Sequence, residues 1–174
     1  ELFNVYSLFD VTPVRARGCR IWDEKGQEYL DLYGGHAVIS IGHAHPRYVE
    51  AVSRQVALKL ASFHTGRTRI LAAQKAFHGR TSLAVEATDN PRIIAPINDN
   101  AHVTRLPLND LEAWERELAK GDVAAVILEC IQGVGGIQMA TEAFAQGLSD
   151  ACRRHGAVLI CDEIQCGYGR SGRF

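Results

Sequence analysis

The sequence predicts an α/β fold built on a mostly parallel sheet, and three neighbouring stretches carry that prediction. Residues 123–128 and 158–161, V-A-A-V-I-L and V-L-I-C, are short continuous apolar runs of the kind that forms strands buried on both faces. Between them Phe144, Leu148 and Cys152 recur at i, i+4 and i+8, a helical stripe that closes at His155-Gly156. Strand, crossover helix and strand in that order make a βαβ unit with parallel strands. The two strands end in acids, Glu129 and the pair Asp162-Glu163, which therefore emerge on one sheet edge. Open α/β sheets bind their ligands at that edge.

Taken in order, residues 1–18 show little periodicity and read as an extended arm. Residues 19–22 and 27–32 flank D-E-K-G and predict a β-hairpin, with Gly26 suited to a left-handed turn position. Gly34, Gly35 and Gly42 bracket a short run at 37–41, read as another strand. Pro46 is well placed in the first turn of a helix whose Val49, Val52 and Val56 share a face. Periodicity alone continues that helix from residue 49 to 63. Residues 69–73 predict a strand, and A-F-H-G-R-T-S at 76–82 a polar turn into a helix, with Gly, Thr and Ser leaving backbone N–H groups free for an anion. Residues 93–103 read as loop. Asn109 is placed as the cap of a helix over 110–120, with Leu111, Trp114 and Leu118 inward and Gly121 as its stop. The glycine-rich stretch 133–136 reads as a flexible connector, and Thr141 as the cap of the crossover helix.

Composition narrows the function classes. With 174 residues, 47% of them hydrophobic and a net charge of -1, the chain can bury a core and shows no basic field for nucleic acid. No apolar run approaches membrane-spanning length, and the first residues lack the look of a signal peptide. Five cysteines without a C-x-x-C pair fit reduced thiols in the cytoplasm better than a disulfide framework or a zinc site. His43 and His45 have no third ligand at suitable spacing, so no metal site is expected. The 133–136 glycines match neither the Walker A nor the G-x-G-x-x-G pattern.

Four motifs together resemble a known family. Y-L-D-L-Y-G-G-H-A-V-I-S-I-G-H-A-H-P at 29–46, A-F-H-G-R-T at 76–81, E-C-I-Q-G-V-G-G at 129–136 and D-E-I-Q-C-G-Y-G-R-S-G at 162–172 occur in the order found in class III aminotransferases. Their wording is similar to that of the N-acylornithine aminotransferases of arginine metabolism. The resemblance implies pyridoxal 5'-phosphate as cofactor and the type I fold of its enzymes, with helices on both faces of the sheet, an N-terminal arm and a small-domain hairpin. It divides the chain into a small-domain part over 1–46 and a partial cofactor-binding domain over 47–174.

The resemblance also assigns roles. Asp162 pairs with the pyridine nitrogen and favours the protonated ring, a better electron sink. Gln165 meets the phenolic oxygen, Phe77 stacks on the ring, and Arg80 clamps the substrate α-carboxylate as a bidentate fork. Glu129 helps to position substrate and arginine groups. Against the family pattern, several dozen residues with a phosphate-holding loop are missing between Val56 and Ala57, where the helical periodicity runs on. The Schiff-base lysine is expected beyond Phe174, so none of the catalytic lysine chemistry falls in this chain. Lys75 stands where relatives usually have Gly. The implied reaction moves the δ-amino group of N2-acetylornithine to 2-oxoglutarate within a homodimer. N-succinylornithine, ornithine or another ω-amino acid is the alternative donor, although Val134, where users of free ornithine often carry an acid, favours an N-acylated one. A non-catalytic scaffold and a metal enzyme using His43, His45 and His78 complete the alternatives.

Overall fold

The computed structural model describes residues 11–31, 42–44, 46–167 and 172. The chain divides into two compact units, 1–49 and 50–174. In the first, β1 (Pro13–Arg17), β2 (Arg20–Asp23) and β3 (Glu28–Leu30) form an antiparallel meander. The hairpin expected around Gly26 is present, and Gly26 has φ 79°. Its turn is held by Asp23, whose Oδ1 accepts the N–H groups of Lys25 and Gln27 at 2.9 and 2.8 Å. Residues 13–17, read from the sequence as part of an arm, instead hydrogen-bond to β2 as a third strand. The strand expected over 37–41 lies outside the described residues.

The second unit carries a four-stranded sheet in the order β5-β4-β6-β9, from β4 (Arg69–Ala73), β5 (Val103–Leu106), β6 (Val123–Leu128) and β9 (Val158–Cys161). All three pairings are parallel, and that of β6 with β9 is the one the βαβ reading required. Helix α1 (Pro46–Thr65) runs unbroken across positions 56 and 57. Among its described side chains Arg54, Leu58 and Ala61 are buried, whereas Val56 is 44% exposed. Val52 is half-buried and Val56 exposed, so these two valines mark the helix but not its buried face. A guanidinium takes the inward position one turn before Leu58, for a reason that lies in the site described below.

One face of the sheet is covered by α3 (Leu111–Leu118) and α4 (Glu142–His155), which follow the short α2 (Ser82–Ala87) in the chain. Trp114, Leu118, Phe144, Leu148 and Cys152 pack there against Leu71, Val126 and Leu128. The Trp114 and Phe144 rings meet edge to face at 5.8 Å, and the indole N–H donates to the Pro107 carbonyl at 2.8 Å. Full burial of each large apolar side chain contributes about 1.5–3 kcal/mol. On the opposite face Leu58, Ala61 and Ala87 cover Ile70, Ala72, Ala125 and Ile127.

Both ends of α4 follow the sequence reading. Thr141 Oγ1 accepts the Phe144 N–H at 3.2 Å, and Gly156 closes the helix at φ 64°. Elsewhere the structure departs from it. The cap of α3 is Asp110, whose carboxylate accepts the Ala113 N–H at 3.2 Å. Asn109 has φ 69° and instead bridges to the Met139 carbonyl and the Thr141 N–H. Strand β5 was hidden because V-T-R-L is brief and only half apolar. The glycine stretch 133–136 is the tip of a small hairpin between β7 (Ile131–Gln132) and β8 (Gln138–Met139). Strand β9, half-buried rather than fully enclosed, has a hydrogen-bonded neighbour on one side only among the described residues.

Candidate active site

Three segments leave the C-terminal ends of β4, β6 and β9 on one edge of the sheet: 74–80, 129–137 and 162–167. The parallel register fixes this, since Leu128 pairs with Cys161 and the Asp162 N–H donates to the Leu128 carbonyl at 2.7 Å. Glu129 and Asp162 therefore follow their strands side by side.

Asp162 is the most constrained group of the edge. Its Oδ2 accepts from Arg54 Nε at 2.6 Å and from His78 Nδ1 at 2.7 Å, and its Oδ1 lies 3.4 Å from the Ile164 N–H. The side chains of Asp162, Arg54 and His78 are 2%, 8% and 0% exposed. Burial pushes the carboxyl up, but the hydrogen bonds from His78 and Arg54 outweigh it and hold the pKa below the usual carboxylate range. Donation from Nδ1 puts the His78 proton on that nitrogen. Its buried Nε2 has no hydrogen-bond partner.

Glu129 behaves in the opposite way. It is 4% exposed and accepts the Phe77 N–H at 2.8 Å. Burial is the largest influence on it and pushes its pKa up. Two carboxyl groups on one edge thus have shifts of opposite sign, because one faces two donor side chains and the other chiefly a backbone amide.

The hairpin carrying β7 and β8 docks on the turn after β4. Gln132, fully buried, donates through Nε2 to the Gln74 carbonyl at 2.9 Å. Gly135 approaches so closely that a Cβ there would lie 2.5 Å from the Lys75 carbonyl oxygen. Lys75 itself has φ 62°, a left-handed conformation that favours glycine. A cavity of about 340 Å³ opens beside β9, lined by Ser53, Arg54, Ala57 and residues 160–164, Asp162 among them.

The structure brings some of the sequence-derived residues together and leaves others apart. Asp162 and Glu129 are buried at the same edge, and Phe77, half-buried, is tied to Glu129. Gln165 is exposed, with its Oε1 2.5 Å from where a Cβ on Gly133 would stand, so it closes on the hairpin tip. Arg80 is exposed at the bend before α2. The expected anion site at that helix start gains no support: α2 has six residues, Thr81 makes no side-chain cap bond, and the Leu83 N–H is taken by Gln55. His43 lies 2.5 Å from Asp31 Oδ2, while His45 lies outside the described residues.

Sequence reasoning missed Arg54 and gave His78 no place beside Asp162. His78 was signalled by its position inside A-F-H-G-R-T, next to the strand end that meets Asp162. Nothing local in R-Q-V-A-L distinguished Arg54 from a solvated helix residue.

Comparison with known proteins covers nearly the whole chain. The sequence pattern of the family described as aminotransferase class-III matches residues 4–57 and 52–174. An acetylornithine aminotransferase of Methanopyrus kandleri is 35% identical over 217 residues, covering 98% of this chain and 56% of that protein. A succinylornithine transaminase of Citrobacter koseri is 36% identical, covering 98% and 54%. The chain spans about half the length of the curated relatives it matches. Among solved structures, an N-acetylornithine aminotransferase of Stenotrophomonas maltophilia has a TM-score of 0.52 at 28% identity, covering 97% of this chain and 55% of that one. An amine transaminase of an uncultivated Pseudomonas species, at a TM-score of 0.62, 22% identity and coverage of 99% and 57%, shares the fold.

Proposed function

This chain belongs to the class-III aminotransferase family, and on that premise we propose that it forms part of a pyridoxal-phosphate-dependent aminotransferase acting on N2-acetylornithine and 2-oxoglutarate in arginine metabolism. The observation that carries the reading is Asp162: a buried carboxylate, held ionised at the C-terminal end of a parallel strand and lining a cavity.

The donor set fits the cofactor. An ionised carboxylate offers about four acceptor positions, and the Arg54, His78 and Ile164 contacts occupy three of them. Capacity for one further N–H donor, such as a protonated pyridine nitrogen, remains. When bound, the cofactor supplies an electron sink that withdraws the charge left at carbon as the substrate loses a proton. Asp162 would keep the ring nitrogen protonated, and His78 would fix the carboxylate's orientation. Phe77 would stack on the ring face and Gln165 would donate to the phenolic oxygen. Arg80 would grip the α-carboxylate through two parallel N–H bonds, and Glu129 would accept from amine or guanidinium groups near the ring.

The lysine that links the cofactor is placed outside residues 1–174, and the interruption of the family pattern between Val56 and Ala57. An alignment of 217 positions with a 174-residue chain leaves at least 43 positions unmatched here, which supports such an interruption. The two family matches, meeting at 52–57, support the same seam. By family resemblance the protein acts as a cytoplasmic homodimer. N2-succinylornithine is the competing donor, supported by the Citrobacter koseri relative.

The test is intact mass and turnover of the full-length protein. After pyridoxal phosphate and borohydride, one reduced cofactor should be found per chain, and glutamate should form from 2-oxoglutarate with N2-acetylornithine faster than with its succinyl or free counterparts. Absence of both adduct and glutamate would overturn the reading, and a faster succinyl substrate would replace the donor. Light scattering then checks the homodimer.

A further inference from the structure

On the buried face of α1, in line with Leu58 and Ala61, stands Arg54, a guanidinium to which the chemistry proposed above gives no part. We infer that Arg54 is a positioning residue of the cofactor site: together with His78 it fills one oxygen of Asp162, Oδ2, and so leaves the other, Oδ1, to accept from the cofactor's ring nitrogen. The inference rests on the aminotransferase reading and adds a residue to it.

Packing supplies no reason for a charge at this position. Residues 54, 58 and 61 recur at i, i+4 and i+7, and Leu58 and Ala61 belong to the apolar cluster on that face of the sheet. An apolar side chain at 54 would continue the stripe, and exchanging a buried ion pair for well-packed apolar groups is often neutral or stabilising. The guanidinium is nonetheless 8% exposed and reaches Asp162, 108 residues on, through Nε at 2.6 Å. The turn after β4 lies against it. Gly79 there has φ 103°, and a Cβ on it would stand 3.4 Å from Arg54 Nη1.

The donors are divided unevenly between the two carboxylate oxygens. Oδ2 takes Arg54 Nε at 2.6 Å and His78 Nδ1 at 2.7 Å, one donor for each of its two lone pairs. Oδ1 meets the Ile164 N–H at 3.4 Å, beyond the usual range of about 2.7–3.2 Å for such a bond. The carboxylate is thus gripped from α1 and from the turn after β4, while its own backbone N–H is tied to the end of β6. Those attachments fix its plane, and the oxygen with room for a short hydrogen bond is Oδ1.

Arg54 also differs in kind from the other titratable groups about Asp162. These are His78 from the turn after β4, Glu129 from the end of β6, and Glu163 and Cys166 on its own segment. A guanidinium keeps its charge at every working pH. Burial pushes the Asp162 carboxyl up, and the hydrogen bonds from His78 and Arg54 bring it below the usual range. The acceptor is therefore ionised and oriented before a ligand arrives, which takes that ordering cost out of binding.

The test uses the full-length protein and two ligands, pyridoxal phosphate and its deaza analogue, in which a C–H group replaces the ring nitrogen. The Arg54 Nε–H resonance, assigned through bonds by NMR in the wild type, should shift on adding pyridoxal phosphate and shift much less with the analogue. Only the first ligand brings a donor to Asp162, and a guanidinium of purely structural use would respond to both alike. In the ligand-free protein the Asp162 carboxyl carbon, identified by its loss in Asp162→Asn, should titrate below ordinary aspartates. Arg54→Gln, which keeps a donor but removes the charge, should move that titration upward, and Arg54→Lys should hold it low. Equal responses of Arg54 to the two ligands, or an Asp162 titration unmoved in Arg54→Gln, would overturn the role while leaving the cofactor reading in place. Failure of pyridoxal phosphate to bind would overturn that reading and this inference with it. The wild-type comparison of ligands decides the matter even where the variants do not fold.

Discussion

Replacing Asp162 with alanine tests the electrostatic centre of the site without reference to any activity. The carboxylate receives Arg54 at 2.6 Å and His78 at 2.7 Å, and both donors are nearly or wholly buried. Asp162→Ala removes the carboxylate to which a buried guanidinium and a buried imidazole both donate, and removing one partner of a buried pair costs about 3–5 kcal/mol. With a urea dependence of about 2 kcal/mol per molar, the unfolding midpoint should fall by about 1.5–2.5 M. Trp114 fluorescence, recorded in a Trp22→Phe background, reports this unit alone because Trp114 is fully buried in its core. Arg54→Met should remove much of the penalty of Asp162→Ala, giving a coupling of at least about 1 kcal/mol in the double-mutant cycle. The pH dependence has a defined sign. The folded pKa of Asp162 lies below its unfolded value, so its contribution is present above about pH 4 and is lost as pH falls through the folded pKa. The wild type should therefore lose stability on acidification in that window and the variant should not. A midpoint change below about 0.5 M at pH 7, or strictly additive effects of the two substitutions, would refute the buried triad.

Glu129 should show the reverse dependence. Its folded pKa is raised by burial, so its favourable contribution exists below the unfolded pKa and is lost as pH rises through the folded one; Glu129→Gln, which can still accept the Phe77 N–H, should stabilise at pH 7 and gain nothing at pH 4, by urea midpoint. Lys75→Gly relieves a φ of 62° and should raise the unfolding free energy by up to about 1 kcal/mol, while loss of stability would show that the left-handed turn is not populated. Gly135→Ala should cost about 1–3 kcal/mol, because the added Cβ meets a backbone oxygen at 2.5 Å that cannot rotate away. Thr141→Ala should cost about 1 kcal/mol through the lost cap on α4, with Thr141→Ser restoring most of it.

What the sequence disclosed and what it withheld divide along a physical line. Local periodicity and chain direction were enough for the βαβ unit, and that unit alone placed Glu129 and Asp162 on one edge. The caps of α4 were legible for the same reason, since Thr141 and Gly156 act within a turn of their own positions. Arg54 was not legible, because its partner is 108 residues away and its neighbours in α1 give it an ordinary amphipathic setting. The half-apolar β5 was obscured by prolines and asparagines before it, and only its pairing with β4 makes it a strand. Asn109 shows the intermediate case: it does join the start of α3 to that of α4, but through the Met139 carbonyl and the Thr141 N–H. Asp110 takes the capping role that spacing alone had assigned one residue too early. Long-range polar contacts are also the ones that set charge. Asp162 and Glu129 have the same residue chemistry at equivalent strand ends, yet their pKa values move apart because two distant side-chain donors reach Asp162 whereas Glu129 accepts from a backbone amide. A sequence pattern could nominate both acids for the edge. Assigning one as the fixed anion and the other as the group that holds its proton longer required the fold.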